Sequence, residues 1–161
     1  MANVQRTLFD TTKNNDSVEL ITLSNEKGLS AELLNYGATL RSLRIPGRTG
    51  DDFTDVALGF ETLREYESNT AFLGATIGRC ANRIGRAEFE LGGKRHILTK
   101  NDGRNHLHGG VKGFDKMIWD AREIGDGVIF ELESPDRDEG YPGILRASAK
   151  FRLDGFKLII N

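Results

Sequence analysis

Glycine punctuates this chain from end to end. Nineteen glycines stand against three prolines in 161 residues, scattered rather than gathered into one tract. Glycine takes positive φ without steric cost, so this scatter predicts many tight turns. The runs between the glycines alternate with the period of a strand rather than a helix. In residues 18–24 (V-E-L-I-T-L-S), Val18, Leu20 and Thr22 fall on one side, and Glu19, Ile21 and Leu23 on the other. Residues 29–34 begin a second run, and A-T-L-R-S-L-R-I sets Leu40 against Arg41 and Leu43 against Arg44 until Pro46 ends it. A polar turn is expected over Gly47–Asp52 and a short apolar strand over residues 55–60. A-E-F-E-L and K-R-H-I-L flank Gly92-Gly93, which suits a type I′ or II′ hairpin. Two further hairpins follow, around G-D-G (125–127) and D-G (154–155), separated by a polar loop over residues 134–143. The polar run T-T-K-N-N-D-S (11–17) is expected to fray.

One stretch reads as helix. Residues 61–68 (E-T-L-R-E-Y-E-S) place Leu63 and Tyr66 three apart, in a piece only about two turns long that needs tertiary support. About ten short strands at 8 to 12 residue spacing, with almost no helix, predict an all-β antiparallel β-sandwich or barrel. The length suits one domain.

Composition narrows the function classes. No run approaches the roughly 20 apolar residues of a membrane span. The N-terminus lacks a basic-then-apolar pattern, so a cytoplasmic protein is expected. A net charge of −2 gives no electrostatic basis for nucleic acid. The single cysteine, Cys80, excludes an internal disulfide framework and reads as a small buried filler. The sequon at Asn15-Asp16-Ser17 reads as a chance match.

The chemistry concentrates between Gly74 and Trp119. Arg79, Asn82, Arg83, Arg86, Asn105, His106 and His108 all fall there, with all three histidines of the chain. This donor-rich set suits a hydroxylated or anionic small molecule. The Arg83 guanidinium is a planar fork fitted to adjacent hydroxyls or a carboxylate, although an Asn-Arg pair also serves as a turn or a structural ion pair. In N-H-L-H-G-G an extended backbone would project His106 and His108 to the same face. Each imidazole could meet a ligand oxygen or serve structure, and no third ligand pattern supports a metal. The glycines between Gly74 and Gly85 lack the context of a phosphate loop and read as tight backbone packing. Asp136, Asp138 and Glu139 lack the EF-hand order and read as a solvated loop. The residues alone reach a β-sandwich with a polar pocket for a neutral polyol.

Five motifs carry a resemblance further. N-Y-G-A-T-L, L-G-F-E-T-L-R-E-Y, G-A-T-I-G-R-C-A-N-R-I, N-H-L-H-G-G-V-K-G-F-D-K-M-I-W and D-E-G-Y-P-G stand in this order. Together they resemble the N-terminal half of the aldose 1-epimerase (galactose mutarotase) family, from about residue 4 onward. The resemblance implies a large antiparallel supersandwich, no metal and no organic cofactor, and a free aldohexose such as galactose or glucose as partner. It implies interconversion of α and β anomers by acid/base ring opening. Asn82 and Arg83 match the family's substrate-binding Asn-Arg, and His108 matches its sugar-contacting histidine; His106 has no assigned role.

The family's general acid (a histidine), general base (a glutamate) and a sugar-binding aspartate match nothing here and are expected beyond Asn161. Residues 1–161 are therefore expected to be the N-terminal part of a single, truncated sandwich domain with little or no activity alone. The chain stops on L-I-I-N, as if within a strand. Two other readings stay open: a non-catalytic carbohydrate-binding module, and, less well matched, a hexose-6-phosphate epimerase relative, for which no extra basic cluster is visible.

Overall fold

The computed structural model describes residues 2–49 and 52–161. Thirteen strands are present among them. Strands β1 (Asn3–Thr11), β2 (Ser17–Ser24), β3 (Ser30–Leu34), β4 (Thr39–Pro46) and β5 (Phe53–Asp55) form an antiparallel sheet in chain order. Strands β10 (Asp120–Ile124), β11 (Gly127–Ser134), β12 (Leu145–Asp154) and β13 (Lys157–Ile160) form a second antiparallel meander. Between them in sequence lie two small ribbons. One pairs β6 (Arg83–Ile84) with β9 (His106–Leu107), and the other pairs β7 (Glu88–Leu91) with β8 (Lys94–Ile97).

The main core joins the two large sheets. Ile21, Leu23, Ala31 and Leu33 from β2 and β3 meet Val128 and Phe130 from β11, and Ala149, Phe151 and Leu153 from β12. Phe130 and Phe151 meet edge to face, with centroids 5.6 Å apart. The strict alternation of β2 serves two cores at once. Ile21 and Leu23 face the sandwich, while Val18 and Leu20 face a second cluster with Leu34, Tyr36, Leu63 and Tyr66.

The expected helix is present as α1 (Leu63–Ser68). Thr62 caps it in a reciprocal box with Glu65, and Leu63 and Tyr66 are its buried residues. Lys116 supplies the tertiary support. Its Nζ donates to the carbonyls of Tyr66 (2.7 Å), Asn69 (3.0 Å) and Glu67 (3.3 Å), at the end of the helix where cations are favoured.

Two of the sequence motifs meet in space. Gly37 N–H donates to the Met117 carbonyl (2.8 Å) and Trp119 N–H to the Asn35 carbonyl (2.8 Å), so N-Y-G pairs with K-M-I-W. The segment 106–119 is thereby fixed to the first sheet at one end.

Several expectations need correction. Residues 56–60 are not a strand. Asp55 ends β5 by accepting from Ser42 Oγ (2.6 Å) and from the N–H groups of Leu43 (3.0 Å) and Ala57 (3.0 Å), which turns the chain off the sheet. Residues 11–17 do not fray. Thr12 is buried and its hydroxyl accepts from the Asn14 and Asp16 N–H groups, closing a tight turn. Strand β1, which the alternation did not reveal, pairs with β2 through a register shift between Leu8 and Asp10. The polar turn over Gly47–Asp52 includes Gly50 and Asp51, which lie outside the described residues. Among the described residues, no helix is long and apolar enough to cross a membrane.

Candidate functional site

The β6–β9 ribbon is only two residues long on each side, with Arg83 opposite Leu107 and Ile84 opposite His106. At its end the ladder gives way to a reciprocal lock. His108 N–H donates to the Asn82 carbonyl at 3.1 Å. Asn82 N–H donates to His108 Nδ1 at 3.0 Å. Both residues have left-handed backbones, with φ of +62° at Asn82 and +51° at His108. Such a conformation is uncommon away from glycine and asparagine, so the surrounding contacts must hold it.

Those contacts can be named. Asn101 staples the loop, its Nδ2 donating to the Leu107 and Gly110 carbonyls (2.8 Å each) while its Oδ1 accepts from Leu107 N–H (2.7 Å). Gly109 lies on the Gly78 carbonyl so closely that an added Cβ would come within 1.6 Å of it. Gly110 lies against the Glu139 carboxylate, whose Oε1 accepts from Lys112 N–H (2.8 Å). The paired glycines after His108 therefore serve close packing.

The lock decides the tautomer of His108. Nδ1 accepts a hydrogen bond, so the neutral ring carries its proton on Nε2. No partner engages Nε2 among the described residues, and His108 is only partly buried. The imidazole also touches the Phe72 ring, with centroids 4.7 Å apart.

Arg83 stands beside this pair. Its Nε donates to Asp102 Oδ2 at 2.7 Å and its Nη1 to Asn82 Oδ1 at 3.5 Å. The Arg83 side chain is 56% exposed, and Nη2 has no partner among the described residues. Asn82, Arg83 and His108 thus form one patch: an anchored guanidinium fork next to a fixed N–H donor.

His106 does something else. It is fully buried, its Nδ1 bonded to the Thr99 carbonyl (2.7 Å) and its Nε2 to the Tyr141 hydroxyl (2.9 Å). A carbonyl can only accept, so His106 carries its proton on Nδ1, the opposite tautomer to His108. Burial, with smaller contributions from Cys80 and Glu139 against Arg79, pushes the Tyr141 hydroxyl up to about 12 and keeps it a donor. The shared face expected for the two histidines is not formed, because the left-handed backbone at His108 breaks the extended alternation.

The other candidates are structural. Arg79 points inward. Its Nε donates to Ser134 Oγ (2.8 Å), Nη1 to the carbonyls of Pro142 (3.3 Å) and Gly143 (2.9 Å), and Nη2 to those of Ser134 (3.0 Å) and Pro135 (2.6 Å). Cys80, expected to be buried, is exposed. With Arg79 turned into the protein, the next side chain is turned out. Asn105 Oδ1 accepts from Arg86 N–H (3.2 Å), which shapes the turn after β6. His96 stacks on Phe89 within the β7–β8 hairpin (5.2 Å). Asp136 and Asp138 are not simply solvated. They accept from Gly143 N–H and Ser134 Oγ and hold the 134–143 loop in shape. Glycines 74 and 78 do pack tightly, against the Leu40 carbonyl and the Phe114 ring.

Three residues at the patch were not marked by the sequence as part of it, although Asn101–Gly103 reads as a turn. Asp102 sits in the turn N-D-G, Asn101 precedes it, and Phe72 lies in an irregular segment. Asp115, seven residues past His108, is buried. Burial pushes its carboxyl above the usual carboxylate range, while the Lys116 ammonium pulls the other way. Burial also lowers Lys116, whose Nζ lies 3.8 Å from Asp115 Oδ2.

A family profile for aldose 1-epimerase matches residues 19–160. Galactose mutarotase from Sus scrofa is 40% identical over 162 aligned residues, covering all of this chain and 47% of that protein. Aldose 1-epimerase from Escherichia coli is 42% identical over 135 residues, 83% of this chain and 39% of that protein. A solved aldose epimerase homologue from C. elegans superposes with a TM-score of 0.81 at 36% identity, covering 88% of this chain and 44% of that one. Galactose 1-epimerase from Lactobacillus acidophilus gives 0.81 at 32% identity, over 96% of this chain and 46% of that one. The chain spans about half the length of the curated relatives it matches. Its antiparallel fold is that of these solved structures, and with a match running through nearly every residue, this chain belongs to the aldose 1-epimerase family.

Proposed function

We propose that this chain supplies the hydroxyl-binding wall of a site that interconverts the α and β anomers of aldohexoses such as galactose. The observation that carries the reading is the Asn82 N–H to His108 Nδ1 bond, which leaves Nε2–H as a fixed donor. In this reading Arg83 binds adjacent sugar hydroxyls through the free part of its fork. Asn82 contributes its side-chain amide, and His108 donates to the sugar oxygen nearest the reacting carbon. Donors fixed before the sugar arrives need not reorganise, and they help to stabilise charge on the ring oxygen as the ring opens.

Mutarotation also needs a base at the anomeric hydroxyl and an acid at the ring oxygen. The histidine and glutamate to which the family resemblance assigns these tasks match no residue of this chain. Residues 1–161 are read as the N-terminal part of one sandwich domain, whose other part carries both. Lacking either group costs a factor of roughly 10² to 10⁴, so the chain alone should bind sugar with negligible turnover. A cytoplasmic protein with a free aldohexose partner completes the proposal. A net charge of −2 offers nucleic acid no attraction.

Polarimetry on freshly dissolved α-D-galactose, run beside an amide NMR titration with the same sugar, tests both parts. The expected result is a rate equal to the buffer blank, with galactose-dependent shifts at residues 82–83 and 101–108 that vanish in Arg83→Ala. A rate above the blank that falls in His108→Ala would contradict the division of labour. Absence of shifts would contradict sugar binding.

A further inference from the structure

His108 is held from two sides, and only one of them is a hydrogen bond. The Phe72 ring lies 4.7 Å from the imidazole centroid, tilted by 56°. Phe72 has a φ of +56°, a conformation that is an outlier for a bulky residue. It joins Asn82 (φ +62°) and His108 (φ +51°), so three left-handed residues that are not glycine meet around one imidazole. Strained backbone of this kind persists only where its surroundings over-determine it, and it gathers where a side chain must be placed.

The surroundings of Phe72 do over-determine it. Its carbonyl accepts from Ala75 N–H (3.2 Å), closing a turn. On one flank Ala71 N–H is held by Asn69 Oδ1 (2.6 Å). On the other, Leu40 N–H bonds the Gly74 carbonyl (2.9 Å), and Thr76 bonds the Gly37 carbonyl through its N–H (2.9 Å) and the Ala38 carbonyl through Oγ1 (3.0 Å). The segment is thus tied to the β3–β4 connection, a rigid part of the first sheet. Neither those bonds nor the main core uses the Phe72 ring itself. Phe72 also lines an open pocket of about 390 Å³ with Leu107 and Gly110, the residues flanking the His108-Gly109 pair.

The geometry points to Phe72 as a positioning residue: its ring backs the His108 imidazole and keeps it in the orientation in which Asn82 N–H can reach Nδ1. Without that backing the imidazole can turn about χ2, the Asn82 bond opens, and Nε2–H is no longer a fixed donor. The effect on the imidazole stands on its own geometry. The consequence for sugar affinity rests on the sugar-binding reading above.

The test uses Phe72→Leu and Phe72→Met, which keep apolar volume but lose the aromatic face, and Phe72→Tyr, which keeps it. Two readouts are taken on the full chain: imidazole nitrogen spectra of His106 and His108, and the D-galactose dissociation constant from amide shifts. The expected result is that Leu and Met move His108 from a single Nε2–H pattern toward a tautomer average while His106 stays fixed. The galactose dissociation constant should rise about 3- to 10-fold, and Phe72→Tyr should restore both within about twofold. Unchanged His108 signals in Leu and Met would overturn the assignment. So would His106 signals that move as far as those of His108, because the ring would then be general packing. If the unsubstituted chain shows no galactose shifts, the sugar reading fails, and the His108 spectra still decide the role of Phe72.

Discussion

Asn82 and His108 hold each other by two hydrogen bonds that run in opposite directions, N–H to Nδ1 at 3.0 Å and N–H to carbonyl at 3.1 Å. A side chain and a backbone from segments 26 residues apart are closed into one ring of contacts. The partner of each donor is thereby spent inside the lock, and Nε2 is what remains for a ligand.

The two neighbouring histidines should separate stability from binding. His106→Ala removes a buried ring and strands the Tyr141 hydroxyl, so unfolding free energy should fall by about 2–4 kcal/mol in denaturant titration. His108→Ala should cost less than about 1 kcal/mol and instead abolish galactose-dependent shifts. The reverse pattern would show that the tautomer and burial assignments are wrong.

Gly109 and Gly93 share positive φ but not surroundings. Gly109 (φ +91°) faces the Gly78 carbonyl at 1.6 Å from a built Cβ, while Gly93 (φ +72°) has nothing within 4 Å. Gly109→Ala should destabilise by about 2–4 kcal/mol and shift the His108 resonances. Gly93→Ala should cost only about 1–2 kcal/mol, the strain of the left-handed backbone alone, with no change at His108.

Arg79→Lys should behave as a loss of structure despite keeping the charge. One ammonium cannot reach the Ser134 hydroxyl and the carbonyls of Ser134, Pro135, Pro142 and Gly143 together. A loss of about 2–3 kcal/mol in unfolding free energy is expected, with hydrogen exchange speeding up first in the 134–143 loop.

Asp115 gives the protein a pH-dependent weakness. Burial raises its carboxyl in the folded state, against the smaller pull of the Lys116 ammonium. The folded protein therefore binds this proton more tightly than the unfolded chain, and stability falls as pH rises from the unfolded value near 3.8 through the raised one. Unfolding curves should show Asp115→Asn gaining on the parent chain as pH rises through that window. A parent that gains on the variant over the same range would mean that the Lys116 pair outweighs burial.

Much of the fold was open to reading because it rests on local rules. Alternation in β2 and β12, the Gly92-Gly93 turn and the Leu63/Tyr66 spacing of α1 each state their own structure. Residues 56–60 misled because Asp55, not the apolar run after it, decides where the sheet ends. The site was legible in part. The motifs named Asn82, Arg83 and His108, and the structure gathers these three. What alternation could not show was the left-handed backbone at His108, which sends it away from His106. Nor could sequence show that Arg79 turns inward and Cys80 outward, since both depend on carbonyls some 55 to 64 positions away. The N-D-G run marks Asn101 and Asp102 as a turn and Phe72 has no local pattern, but the partners of all three are set by tertiary packing.

The proposed sugar-binding role of this patch depends on His108 being held as a donor through Nε2. Long-range nitrogen–proton correlation spectra of the imidazole rings test this directly. The expected result is an unprotonated Nδ1 and a protonated Nε2 at His108, the opposite pattern at His106, and a shift of the His108 Nε2 signal when D-galactose is added. An Nδ1–H tautomer at His108, or an Nε2 signal indifferent to the sugar, would contradict it.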